Sequence, residues 1–81
     1  MFHTYILFSE FADKYYIGQT SNIQERLQKH NNKNKGFTNQ ANDWVIVYQK
    51  SFVTRTEAMS HEKEIKKWKS RKMIRNLIEN Q

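Results

Sequence analysis

Apolar and polar positions along the chain fall into blocks that predict its elements. Residues 2–8, FHTYILF, are rich in aromatic and β-branched types and read as a strand. SEFAD at 9–13 predicts a turn, and KYYIGQT at 14–20 predicts a second strand. The two make a β-hairpin with a loop of about four to six residues. Ser21 fits an N-cap, with Gln24 three positions on in a capping-box pattern. Ile23 and Leu27 mark the apolar side of a helix running to about Asn31. An Asn/Lys-rich stretch at 31–35 and Gly36 lie in a loop that ends near Asn42. WVIVY at 44–48 is a continuous apolar run, expected inside the sheet with helices against it. Thr54 and Glu57 form a second capping box, and Ala58, Ile65 and Trp68 follow at helical period. Ser70 can cap a third helix with Met73, Ile74, Leu77 and Ile78 as its core face. The predicted order is β-β-α-β-α-α. This is a small α/β (α+β) sandwich, a three-stranded, mainly antiparallel sheet flanked by helices.

Composition narrows the class. Eighty-one residues are expected to form one domain, residues 1–81, with one small core. Aromatics make up 14% of the chain and supply much of the burial. There is no cysteine, so neither a disulfide nor a thiolate metal site can staple the fold, and a reduced compartment such as the bacterial cytoplasm is expected. No apolar run approaches the about 20 residues of a membrane span. The N-terminal Met-Phe-His-Thr-Tyr lacks the charged region of a signal peptide.

Charge adds a partner class. The net charge is +6, and the excess lies in 21–40 and 61–81. Lys63, Lys66, Lys67, Lys69, Arg71, Lys72 and Arg75 place seven cations within thirteen residues. A helix so loaded has a basic side, the footprint of a nucleic-acid binder. Solubility alone and a basic membrane-surface helix are the competing readings, the latter weakened because Ile65 and Trp68 are needed for the core.

A few residues could carry chemistry. Glu62 is four residues after Ala58 and three before Ile65, which puts a carboxylate on the apolar stripe. There it is costly unless paired or bound to a metal. The alternative is a helix rotated so that Glu62 sits at the stripe's edge, paired with Lys66. Arg26 and His30 are four apart and share one helix side. An Arg can grip a phosphate bidentately and a His can move a proton near neutral pH, or both can lie on a solvated face. Tyr5, Tyr15, Tyr16 and Tyr48 lie on predicted strands, where tyrosine is common as half-buried core. Gly18 weakens its strand and so points to a bulge or a close approach. His3, His30 and His61 have no zinc-ligand spacing, and neither a Gly-rich phosphate loop nor a Ser-His-Asp or Cys-His arrangement is present.

Taken in order, these residues resemble the GIY-YIG nuclease family, in its small stand-alone bacterial form. The chain is similar to the catalytic domain of the bacterial excision-repair nuclease, and to certain structure-specific, homing and restriction endonucleases. Tyr16-Ile17-Gly18 keeps the second half of the signature, and His3-Thr4-Tyr5 stands where Gly-Ile-Tyr would. Arg26 and His30 match the family's first helix, and Glu62 matches its metal-binding glutamate. The resemblance implies hydrolysis of nucleic-acid phosphodiesters, most naturally of DNA in repair or recombination, with Mg2+ or Mn2+ held by Glu62. By the same analogy Tyr5 deprotonates the attacking water with His30 as relay, and Arg26 holds the phosphate. Tyr16 orients the water or phosphate, and Gly18 gives the backbone room. Arg26, Lys63, Lys66, Lys67 and Lys69 would contact nucleic acid.

Two physical conditions attach to that role. An unperturbed tyrosine has a pKa of about 10, so about one molecule in a thousand is phenolate at pH 7. A useful base needs a value about 2 lower, for which Arg26, a metal and a hydrogen bond to His30 are the available sources. Tyr5 and Tyr16 must also share a sheet face. Opposing residue numbers in the hairpin must then sum to an odd number, which calls for an even-length turn or a bulge. A non-catalytic nucleic-acid-binding module and a protein-interaction subunit with a basic face are the other functional classes. Neither needs a carboxylate facing a phosphate site. Monomer and weak dimer both remain open.

Overall fold

The computed structural model describes residues 1–32 and 41–81. Residues 33–40, which include Gly36 of the expected loop, lie outside the described residues. The strands are β1 (Phe2–Ser9), β2 (Lys14–Thr20) and β3 (Val45–Phe52); the helices are α1 (Ile23–Asn31), α2 (Arg55–Trp68) and α3 (Arg71–Glu79). They follow the order β-β-α-β-α-α and build one antiparallel sheet with strand order β2-β1-β3.

The hairpin meets the parity condition. Ser9 pairs with Lys14, leaving a turn of even length, and Tyr5 opposes Gly18 while Leu7 opposes Tyr16. Tyr5, Leu7 and Tyr16 therefore share one face. Asp13 completes the turn in the left-handed region (φ 53°), which aspartate tolerates. The buried Ser9 hydroxyl holds this turn from inside. It donates to Asp43 Oδ1 at 2.6 Å and accepts the Ala12 N–H at 3.0 Å.

Each sheet face has its own core. On one, Tyr5, Leu7 and Trp44 pack against Ile23 of α1, with Tyr16, Leu27 and Ile46 beside them. On the other, Ile6 and Tyr48 pack against Ile65 of α2 and Ile74 of α3, with Tyr15, Ile17 and Trp68 at the margin. The buried Thr4 hydroxyl donates to the Ala58 carbonyl at 2.7 Å and fastens α2 to the central strand.

Three sequence expectations are corrected here. The run WVIVY was expected inside the sheet, yet β1 is central and β3 is an edge strand that extends to Phe52. A β-bulge explains the apolar run. Ile6 opposes Tyr48 but Leu7 opposes Ile46, so Val47 is the extra residue and Ile46 joins the opposite core from Val47 and Tyr48. The N-cap of α1 is Asn22 rather than Ser21. The Asn22 side chain accepts the Glu25 N–H at 3.1 Å, while its own N–H is taken by the Thr20 hydroxyl at 3.2 Å. Met73 is 44% exposed, so the core face of α3 is Ile74, Leu77 and Ile78.

The other caps stand as read. Thr54 and Glu57 satisfy each other's backbone N–H groups, and Ser70 caps α3 through the Met73 N–H. Among the described residues no helix is long and apolar enough to cross a membrane.

Candidate active site

The face of the sheet covered by α1 gathers four of the residues singled out above. Tyr5 comes from the central strand and Tyr16 from the edge strand beside it; their ring centres are 6.4 Å apart. His30 projects from the last turn of α1, its ring 4.4 Å from that of Tyr16 and 6.3 Å from that of Tyr5. The Tyr5 hydroxyl lies 3.4 Å from His30 Nε2. Arg26, one helical turn before His30, is exposed at the margin of the same group.

Gly18 makes the Tyr5 position possible. A side chain there would begin 2.7 Å from the Tyr5 hydroxyl oxygen and 2.8 Å from Cζ. The bare backbone at position 18 lets the phenol lie across β2, so its hydroxyl reaches the edge strand of the sheet.

Glu62 belongs to α2, the layer on the opposite face, and is half-buried. Its Oε2 accepts a 2.6 Å hydrogen bond from Lys66 Nζ. Of the two readings of Glu62 left open by spacing, this is the alternative one: a half-buried carboxylate paired with Lys66. Its charge reaches Tyr5 all the same, as one of the influences that raise the Tyr5 pKa.

Burial dominates the electrostatics. Tyr5 is only 2% exposed, and loss of water, with Tyr16 next, pushes its pKa up to about 12. Arg26 acts in the lowering direction expected from the sequence, but it is outweighed, and Glu62 adds to the rise. His30 is held below its ordinary value, first by burial and then by the Arg26 charge. In the resting protein Tyr5 keeps its proton and His30 is neutral at pH 7. The buried His30 Nδ1 has no hydrogen-bond partner among the described residues.

The chain matches the GIY-YIG catalytic domain over residues 1–76. It belongs to the GIY-YIG nuclease family. It is 34% identical over 65 residues to a UPF0213 protein of Staphylococcus haemolyticus, an alignment covering 79% of each chain. Identity and coverage are the same for a UPF0213 protein of Staphylococcus saprophyticus. No solved structure gives a significant match.

Within this GIY-YIG domain the altered first half of the signature is built into the fold. Thr4 makes the buried bond to α2, and His3 Nδ1 lies 2.8 Å from the Ser51 hydroxyl on β3. The basic residues also converge. Lys63, Lys66, Lys67 and Lys69 are exposed around one shallow groove on the outer side of α2, which Ser60 and the single carboxylate of Glu64 also line. Among the described residues no three acidic or histidine side chains cluster to hold a metal ion.

Sequence reading missed two supports. The Asn31 side chain clasps the Trp44 backbone, accepting its N–H at 2.7 Å and donating to its carbonyl at 3.0 Å. This sets the buried Trp44 ring 6.4 Å from His30. On the other face the buried Tyr48 hydroxyl lies 2.9 Å from His61 Nε2. Neither pair is close in sequence, so no local pattern announces it.

Proposed function

We propose that this GIY-YIG domain is an endonuclease that hydrolyses phosphodiester bonds in DNA with a divalent cation, magnesium or manganese. One observation carries the reading: the Tyr5 hydroxyl lies beside His30 and Tyr16 and is acted on by the charges of Arg26 and Glu62. A tyrosine serving only the core needs no such company.

Glu62 offers a single carboxylate, and magnesium accepts one carboxylate completed by water and substrate phosphate. That donor set suits a cation taken up together with the substrate. Bound there, it would neutralise charge on the phosphate and favour the Tyr5 phenolate. Arg26 is exposed, and in this reading it grips the phosphate. Once the complex has assembled, neutral His30 accepts the Tyr5 proton through Nε2, and the phenolate so formed takes the proton of the attacking water. Tyr16 orients the reacting groups. The water oxygen bonds to phosphorus, the bond from phosphorus to the departing sugar oxygen breaks, and that oxygen takes a proton from solvent.

The lysine groove on α2 fits the backbone phosphates of a duplex or strand. A chain of this size has little room for reading base edges, so shape (a flap, nick or branch) selects the substrate. A role in repair or recombination in a reduced cytoplasm follows from that substrate class, with residues 1–81 acting as one domain.

A second reading is a binding module that keeps the fold without cutting. Two observations favour it: Tyr5 holds its proton to about 12, and Glu62 is already engaged by Lys66. Labelled branched, nicked and single-stranded DNA, incubated with magnesium or with chelator, separates the two. Magnesium-dependent cutting that disappears in Glu62→Ala supports the endonuclease. Salt-sensitive binding without cutting, equal or tighter in Glu62→Ala, supports the module.

A further inference from the structure

His30 must present Nε2 to the Tyr5 hydroxyl 3.4 Å away, and one long hydrogen bond does not fix a ring. A histidine that moves protons is ordinarily oriented by a second hydrogen bond at its other nitrogen. Here, among the described residues, the buried Nδ1 has no partner. His30 is only 8% exposed, so solvent does little to replace that bond. Packing is left to orient the ring. Its aromatic neighbours besides Tyr5 are Tyr16, with ring centres 4.4 Å apart, and Trp44, with ring centres 6.4 Å apart.

These two neighbours are placed by different means. Tyr16 lies within β2, which pairs with β1 without a break from Lys14 to Thr20. Trp44 stands just before β3, beyond Val45, the last β3 residue paired with β1. Asn31 holds its backbone. The Asn31 side chain accepts the Trp44 N–H at 2.7 Å and donates to the Trp44 carbonyl at 3.0 Å. Two bonds to one residue imitate a strand neighbour and fix the direction in which the Trp44 side chain leaves the backbone. Trp44 then packs with Tyr5, Leu7 and Ile23.

The position of the clasp gives it a second consequence. Asn31 is the last residue of α1 and follows His30 directly. One side chain therefore ties the end of the helix that carries His30 to the ring that His30 packs against. A clasp serving the core alone could close on any buried backbone. This one closes beside a histidine whose orientation has no second hydrogen bond.

We propose that Asn31 is a positioning residue: by clasping the Trp44 backbone it sets the Trp44 ring as the wall that keeps His30 Nε2 facing Tyr5. The proposal rests on the reading above, in which His30 accepts the Tyr5 proton, and adds to that reaction a residue that acts through another.

The test compares wild type with Asn31→Ala and Trp44→Phe, each as the full chain. In wild type, nuclear Overhauser contacts should join the His30 ring to Trp44 and to Tyr16. In Asn31→Ala they should weaken or vanish, while contacts between Ile6 and Ile65 in the other core stay. The functional arm uses labelled nicked DNA with magnesium. In Asn31→Ala kcat should fall about tenfold or more with KM within about twofold, since misplacing a reacting group slows its step without loosening the substrate. Trp44→Phe leaves the clasp in place and should give a similar fall. The double variant should fall little further, because both changes act through one contact. Thermal unfolding checks that each variant is folded. Should Asn31→Ala not fold, Asn31→Asp removes only the donated bond, and the same losses are expected in smaller degree. Unchanged His30 contacts in the folded Asn31 variant would overturn the proposal, as would a loss confined to KM. Displaced contacts with kcat unchanged would overturn its bearing on the reaction. Absence of cutting by wild type would remove the endonuclease and leave the Overhauser contacts to decide whether Asn31 places His30.

Discussion

Tyr5 and Gly18 oppose each other across the first hairpin, and the Tyr5 hydroxyl oxygen lies 2.7 Å from the point where a side chain at position 18 would begin. The phenol occupies the space a side chain would take. It has no easy retreat, because Tyr5 is buried with Leu7, Ile23 and Trp44. Gly18→Ala should therefore overpack the site, at a cost of about 1–3 kcal/mol. For a domain of this size that lowers the melting temperature by about 4–8 °C per kcal/mol. Adding Tyr5→Phe should relieve only part of the loss, since Cζ is itself 2.8 Å away. An unchanged melting temperature in Gly18→Ala would mean that the ring has another place to go.

The raised Tyr5 pKa makes an alkaline prediction. A group whose pKa rises on folding contributes stability that is complete below its unfolded value. That value is about 10, and the contribution is lost as pH climbs through the folded value of about 12. Carbon-13 labelling of the tyrosine Cζ atoms should show Tyr5 unionised at pH 11. Arg26→Gln should move its titration higher still, because Arg26 is the lowering influence. Ionisation of Tyr5 near 10 would show that burial does not govern it.

The histidines give the opposite limb. Burial first, then Arg26, depresses the His30 pKa; burial first, then Lys50, depresses that of His61. The unfolded chain takes up these protons near pH 6.5 and the folded protein resists them. Their contribution is complete above that pH and is lost as pH falls through the folded values, at no more than about 1.4 kcal/mol per pH unit for each. Melting temperatures measured from pH 7.5 to 5 should fall in wild type and flatten in His30→Gln/His61→Gln. A wild-type curve already flat across that window would contradict the assignment.

The parts of this structure legible in the sequence are those that local rules decide. Thr54–Glu57 and Ser70 cap their helices as their spacing requires, and the shared face of Tyr5 and Tyr16 forces the hairpin parity. What escaped depends on distant partners. The extra residue Val47 shows only against β1, so an apolar run made by a bulge reads as a central strand. The clasp of Asn31 on Trp44 and the Tyr48–His61 pair join residues thirteen apart across different elements. The rise of the Tyr5 pKa was not legible for a related reason: the sequence displays Arg26 but not the depth of burial that outweighs it.

Lys66 sets the last prediction, because it holds the carboxylate that a cation would need. The pair is made at 2.6 Å, but Lys66 is 52% exposed and Glu62 only 19%. A pair of this kind, four residues apart on a helix, contributes about 0.3–0.5 kcal/mol. Lys66→Ala should therefore leave the melting temperature almost unchanged. It should nevertheless free Glu62 and raise affinity for manganese several-fold, read as paramagnetic broadening of amides around residue 62. The same substitution removes a cation from the lysine groove, so oligonucleotide affinity should fall while metal affinity rises. These opposite signs distinguish competition for Glu62 from a general change in structure, which would weaken both. Glu62→Gln should abolish the broadening in either background. Broadening that persists without the Glu62 carboxylate would place the cation elsewhere and remove Glu62 from the chemistry.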